Sequence, residues 1–184
     1  MNKAAIPLII FLVMAGLFLF VLKKIDKGEY DPRDIPTEFI GKPVPAFDLP
    51  NLLDDADRVR AVDYQGKAWL LNVWGTWCGE CWKEHDFLVM LSRQGVPIVG
   101  VNWRDDAADA RSMLAQKGNP FKEIGFDPKS DAVIDLGVYG APETYLVDAA
   151  GVIRYRHVGV VDDRVWSTIL QPLYAELGAG AGSR

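Results

Sequence analysis

The longest unbroken apolar stretch comes first: residues 4–22, AAIPLIIFLVMAGLFLFVL, hold no charged side chain. As a helix this run is roughly 28 Å long at about 1.5 Å per residue, close to the thickness of a bilayer core. No polar face interrupts it, which argues against a buried core helix. A cleaved signal peptide would have a shorter apolar core, about 7–15 residues, followed by a small-x-small cleavage site. This run ends instead in VLKKIDKGEY and reads as an uncleaved transmembrane anchor.

Past the anchor the pattern breaks. KIDKGEYDPRDIPTEFIGKPVPAFDLP carries five prolines and little periodicity, as expected of a tether leading into an extended strand or loop. RVRAVDY then predicts a short strand. KAWLLNVW, 67–74, is nearly all apolar and of strand length, the pattern of a central strand covered on both faces. From Gly79 to Gln94 the spacing turns helical, with Phe87, Leu88 and Leu91 as its stripe and Gly95 at its stop. VPIVGVNW, 96–103, predicts a second buried strand. DDAADARSMLAQKG, 105–118, with acids at its start and Lys-Gly at its end, predicts a capped helix.

A short segment around Phe121–Phe126 and a turn of helix near 130–136 come next. ETYLVD and GVIRYRHVG, joined by the turn Asp148–Gly151, predict a hairpin. Asp162 is placed to cap a last helix, which Pro172 should end or kink near Leu170–Gln171. The order predicts an α/β domain with a mixed sheet. The partition is residues 1–3 before the anchor, anchor 4–22, tether 23–40, domain 41–178 and a disordered tail 179–184.

Composition changes this picture little. The net charge of −5 over 184 residues supplies no basic stripe for phosphates, so nucleic acid is not an expected partner. No Gly-rich phosphate loop or internal repeat is present. Orientation is ambiguous by charge: Lys3 precedes the anchor, whereas Lys23, Lys24 and Lys27 follow it and would hold the domain in the cytoplasm by the positive-inside rule.

The chemistry lies in NVWGTWCGECWKEH, which holds the only two cysteines, Cys78 and Cys81. A structural zinc site needs four ligands, and only His85 and His157 are available to complete one, so that site is arithmetically open. Covalent haem attachment needs C-x-x-C-H, and Trp82 occupies the histidine position. A purely structural disulfide would close too small a loop to restrict the unfolded chain much. Redox exchange fits better. The pair falls between a buried strand and a helix start, where unpaired amides and the helix dipole favour the thiolate, which is the nucleophile. On that reading Cys78 is exposed at the tip and attacks, while Cys81, one turn later, resolves the mixed disulfide.

Trp77 would shield one side of the sulfurs and offer a flat apolar surface; a core tryptophan is the alternative. Ala141-Pro142 stands just before a strand, where a cis proline would present the Ala141 backbone as a docking edge; a trans proline starting an edge strand is equally open. Glu84, three residues beyond Cys81, shares its helix face, unless it is simply an exposed first-turn acid. His85 is expected to face solvent. Glu80 adds negative charge beside the pair.

WCGEC at a strand–helix junction with a later Ala-Pro before a strand resembles the thioredoxin fold. Together with IGKPVPAFDLP, LLNVWGTWC, CWKEH, GVYGAPETYLVD, GVIRYRHVGVVD and the anchor, the chain resembles the CcmG/DsbE family of membrane-anchored thiol–disulfide proteins of cytochrome c maturation. The resemblance implies a thioredoxin-like domain in the periplasm of a bacterium, a single pass through the inner-membrane lipid, and residues 1–3 in the cytoplasm. It implies reduction of the disulfide of apocytochrome c, directly or through a thiol-bearing assembly partner such as CcmH, so that haem can be attached. A membrane reductase of the DsbD/CcdA type would recharge the protein. The redox disulfide itself would be the active group, with no cofactor and no metal. The resemblance makes Cys78 and Cys81 catalytic, Glu84 and Glu143 proton-transfer groups, Pro142 cis, and Trp77, Ala141 and Pro142 the substrate surface. Asn72 stands where thioredoxins bury a proton-relaying aspartate, and it cannot take up a proton. Gly79-Glu80 departs from family members with proline after the first cysteine.

Overall fold

The computed structural model describes residues 5–26 and 39–180, and the chain separates into two compact units, 1–36 and 37–184. The expected segment 1–3, most of the tether and positions 181–184 of the expected tail lie outside the described residues. In the first unit, helix α1 (Ala5–Asp26) includes a stretch, Ile6–Lys23, long and apolar enough to cross a membrane. Its described side chains are nearly all exposed, as suits a lipid-facing helix.

The second unit opens with a small hairpin, β1 (Asp48–Pro50) and β2 (Arg58–Arg60), followed by a 3₁₀ turn, Ala61–Tyr64. The predicted strand RVRAVDY is therefore strand only in its first half; Ala61 and Tyr64 tuck into the core from the turn. The main sheet contains β3 (Trp69–Trp74), β4 (Ile98–Trp103), β5 (Glu123–Asp127), β6 (Glu143–Val147) and β7 (Ile153–Val158). Its order is β5-β4-β3-β6-β7, with β3, β4 and β5 parallel and β6 and β7 antiparallel. This is the mixed sheet the sequence predicts.

Central strand β3 is buried along its whole length, and alternation sends its side chains to two cores. Leu70 and Trp74 join Leu146, Leu88 and Leu91 of helix α2 (Gly79–Arg93), Met113 and Leu114 of helix α3 (Ala107–Lys117), and Trp166 and Leu170 near the C-terminus. Trp69, Leu71 and Val73 join Phe47 and Leu49 of the hairpin side, and Ala132 and Val133 of the short helix α4 (Asp131–Asp135). Phe39 packs on this second core, so the domain begins before residue 41.

At the C-terminus, α5 (Asp163–Val165) is capped by Asp162, as expected, and α6 spans Gln171–Gly180. Pro172 does not end the helix. The turns just before it, Trp166–Leu170, widen to π-helical geometry, which accommodates the missing amide and the ring clash with the preceding turn. Positions 179 and 180 of the predicted tail are thus helical.

Candidate active site: a disulfide at a helix tip

The site is built at the C-terminal end of β3, where the chain leaves the sheet and enters α2. Cys78 is the N-cap of that helix, with extended backbone, and its Sγ accepts the Cys81 amide at 3.1 Å. A disulfide joins Cys78 and Cys81, whose Cα atoms are 5.3 Å apart. The bonded pair sits where the helix dipole is positive. Cys78 is less accessible than a tip position suggests: it is 4% exposed, against 3% for Cys81. The bond to Cys81 holds its sulfur back against the first turn of α2.

Two indoles border this turn. Trp77 is half exposed and its Nε1 donates to Trp103 O at 2.9 Å, with the two rings edge to face at 5.5 Å. A Cβ on Gly75 would lie inside the Trp77 indole, so only glycine lets the ring fold back over the turn. Trp82 donates Nε1 to Thr76 O at 2.8 Å. Trp77 is therefore a surface platform, not a core tryptophan.

Thr76 is held from the other side by Asp105, two residues past β4. One carboxylate oxygen accepts the Thr76 amide at 2.7 Å and the Asn102 side-chain amide at 2.8 Å; the other accepts the Thr76 hydroxyl and the Asp106 amide. Asp105 thus ties the end of β4, which carries Trp103, to the loop leading into Cys78. Its sequence signal is an acid two residues past a buried parallel strand, at the end of the sheet where α/β sites form.

The Ala141-Pro142 bond is cis. Ala141 packs on the core cluster that contains both cysteines, and Pro142 O accepts the Gly159 amide at 2.9 Å.

The two glutamates part company. Glu84 lies on the buried face of α2 with Cys81 and is 1% exposed, so it is no surface acid. Its oxygens accept Asn72 Nδ2 at 2.9 Å and the Val161 amide at 2.8 Å. Burial outweighs these two donors and pushes its carboxyl from the ordinary 4.5 up to about 7. Glu143 is not brought to the sulfurs. It shares a strand face with Tyr145 and Val147, whereas Thr144 and Leu146 face the cysteine side. It pairs with Arg156 at 2.6 Å, and accepts the Tyr145 hydroxyl at 3.0 Å and the Tyr139 amide at 3.2 Å. Arg156 also donates to Gly137 O at 3.1 Å. The pair fastens the Gly137–Pro142 loop from beneath, and strand alternation sets Glu143 on the face opposite Thr144 and Leu146. His85 corrects another expectation: it is 3% exposed, and its Nε2 donates to Gly118 O at 2.8 Å.

A cysteine pair bonded at a helix N-terminus, on a mixed sheet with a cis proline before its antiparallel strand, defines a thioredoxin-like thiol–disulfide oxidoreductase. The Redoxin family signature matches residues 39–169. The thiol:disulfide interchange protein DsbE of Pseudomonas aeruginosa is 48% identical over 91% of this chain and 94% of its own length. DsbE of Escherichia coli K12 is 47% identical over 92% and 91%. A Chlorobium tepidum crystal structure described as a DsbE protein superposes with a TM-score of 0.66 at 29% identity, covering 76% of this chain and 98% of that one. The chain belongs to the DsbE family of thiol:disulfide interchange proteins.

Proposed function

We propose that this oxidoreductase is a periplasmic reductant of cytochrome c maturation, held by its N-terminal helix in the inner membrane. It reduces the disulfide of apocytochrome c, directly or through a thiol partner such as CcmH, so that the freed thiols can take up haem. A membrane reductase of the DsbD/CcdA type returns it to the dithiol state. The observation that carries the reading is the GVYGAPET segment, the stretch of the family resemblance, whose Ala141 packs on the cluster holding both cysteines and whose loop Glu143 and Arg156 fasten.

The cycle runs on the two sulfurs, with no further cofactor. The Cys78 thiolate attacks one sulfur of the substrate disulfide and expels the other as thiolate. Cys81 then gives its proton to Glu84 and attacks Cys78 Sγ, releasing the second substrate thiolate. Two electrons pass to the substrate, and the protein ends with the Cys78–Cys81 bond that the structure contains. Glu84 suits the proton step because burial brings it to about 7, within reach of both protonation states near neutrality. Trp77, Ala141 and cis-Pro142 form the surface on which an extended peptide docks.

Cells carrying Cys81→Ser are expected to accumulate mixed disulfides between Cys78 and apocytochrome c or its assembly partners. Cells with both cysteines replaced by serine are expected to lose holocytochrome c. Trapping of unrelated envelope proteins alone would assign a general thiol reductase instead, and normal holocytochrome c in the double-serine strain would assign a peptide-binding scaffold.

A further inference from the structure

Asn72 sits on β3 with no solvent exposure, and its side-chain amide is used unevenly. Nδ2 donates twice, to Glu84 Oε1 at 2.9 Å and to Thr144 Oγ1 at 3.0 Å. Oδ1, equally buried, has no partner among the described residues. The two ends of an asparagine amide have nearly the same shape, so a half-turn about its last torsion exchanges them within the same space.

The exchanged arrangement is also well formed, but only with a different proton inventory. Oδ1 would then face Glu84 and Thr144. A protonated Glu84 has an O–H to donate to it, and the Thr144 hydroxyl can rotate from accepting to donating. An ionised Glu84 has no proton to offer and matches only the arrangement in which Nδ2 faces it. The Val161 amide donates to the other Glu84 oxygen in either case. Each arrangement leaves one amide end idle, so neither has more hydrogen bonds than the other.

We propose that Asn72 is a positioning residue for proton transfer: its amide turns over as Glu84 gains or loses a proton, with Thr144 reversing its hydroxyl, so that the buried carboxyl has a matched partner in both states. The proposal rests on Glu84 acting as the proton acceptor for Cys81. When Cys81 gives up its proton, the amide presents Oδ1 to the newly formed acid; when the proton leaves, Nδ2 returns. Asparagine at the place of a relaying aspartate thus serves the relay without titrating.

The other ionisable groups on the packed elements are otherwise engaged. His85 donates to Gly118 O, His157 donates to Val160 O, and Asp162 caps the Val165 amide. Glu143 and Arg156 pair on the far face of the sheet. On the buried face of α2 Glu84 has Cys81 and His85 as its titratable neighbours, with Cys78 at the N-cap of the helix, and Cys81 is the partner in the transfer.

The test uses the full-length reduced chain in detergent micelles, with side-chain nitrogen label in asparagine and carboxyl carbon label in glutamate. As pH crosses neutrality, the Asn72 amide resonances, assigned by their loss in Asn72→Leu, are expected to move with the midpoint of the Glu84 carboxyl signal. In Glu84→Gln they should stay still. In Asn72→Leu the Glu84 midpoint should rise by about one pH unit, because a hydrogen bond to the charged form is the stronger one lost. Asn72 resonances that ignore the Glu84 titration, or a Glu84 signal without a neutral-range midpoint, overturn the proposal. No substrate enters the measurement, so its failure is separable from failure of the cytochrome reading.

Discussion

Glu84→Gln offers the clearest physical test of the buried carboxyl. In the folded protein Glu84 titrates near 7, against 4.5 ordinarily, because burial penalises its charge more than the Asn72 and Val161 donors relieve it. At about 1.4 kcal/mol per pH unit, that difference amounts to about 3 kcal/mol. The sign follows from proton counting. Below 4.5 the folded and unfolded chains both hold the proton, and the full stability contribution is present. Between 4.5 and about 7 the folded chain holds a proton that the unfolded chain has lost, so stability falls as pH rises. Above about 7 both forms are ionised and the loss is complete.

Glutamine carries no charge at any pH. Its amide can fill the same two contacts, the oxygen toward the Val161 amide and the NH₂ toward a turned-over Asn72. Stability relative to wild type should therefore be near zero at about pH 4 and grow to about 3 kcal/mol in favour of glutamine at about pH 8. Urea unfolding of the oxidised full chain in detergent, followed by tryptophan fluorescence at each pH, measures this difference. All six tryptophans lie between residues 69 and 166, so the signal reports the domain and not the anchor. A difference that stays flat with pH, or a glutamine variant less stable on the alkaline side, refutes the reasoning. The gain in stability should accompany slower release of the mixed disulfide, since glutamine cannot accept the Cys81 proton.

Arg156→Met strands the fully buried Glu143, and should cost about 3–5 kcal/mol in urea unfolding, while adding Glu143→Gln recovers most of the loss. Equal costs for the single and double variants would show that the pair does not hold the Gly137–Pro142 loop. Asp105→Ala leaves the Thr76 amide and the Asn102 side chain without their acceptor; about 1–3 kcal/mol of stability should be lost, together with exchange rate on a small disulfide. An unchanged rate would show that the position of Cys78 does not depend on this link.

How much of this was legible in the sequence depends on the range of the force that fixes each feature. The apolar run of β3 and the helical stripe of α2 predict their elements because burial on two faces and on one face leaves different periods in the residues themselves. The cysteine pair is legible for the same reason: a strand–helix junction is a local property. The half-strand Arg58–Arg60, the widened turns before Pro172 and the burial of His85 are not, because each is decided by what packs opposite.

The glutamates show where the boundary falls. Glu84 and Cys81 share a helix face by spacing alone, so their proximity is readable; the strength of the burial is not, because it depends on Asn72, Thr144 and Val161 arriving from three other segments. Glu143 directly follows the cis proline, yet strand alternation sets neighbours in sequence on opposite sides of the sheet. Which side faces the sulfurs is decided by the packing of α2, on the face where Thr144 and Leu146 point. One sheet layer thus separates the two acids: one lies on the cysteine-bearing face of α2, where burial disfavours its charge, and the other is paired beneath the loop that ends in cis-Pro142. The oxygens of Glu143 are taken up by Arg156, Tyr139 and Tyr145, whereas a carboxyl that titrates near neutrality would be a poor clamp.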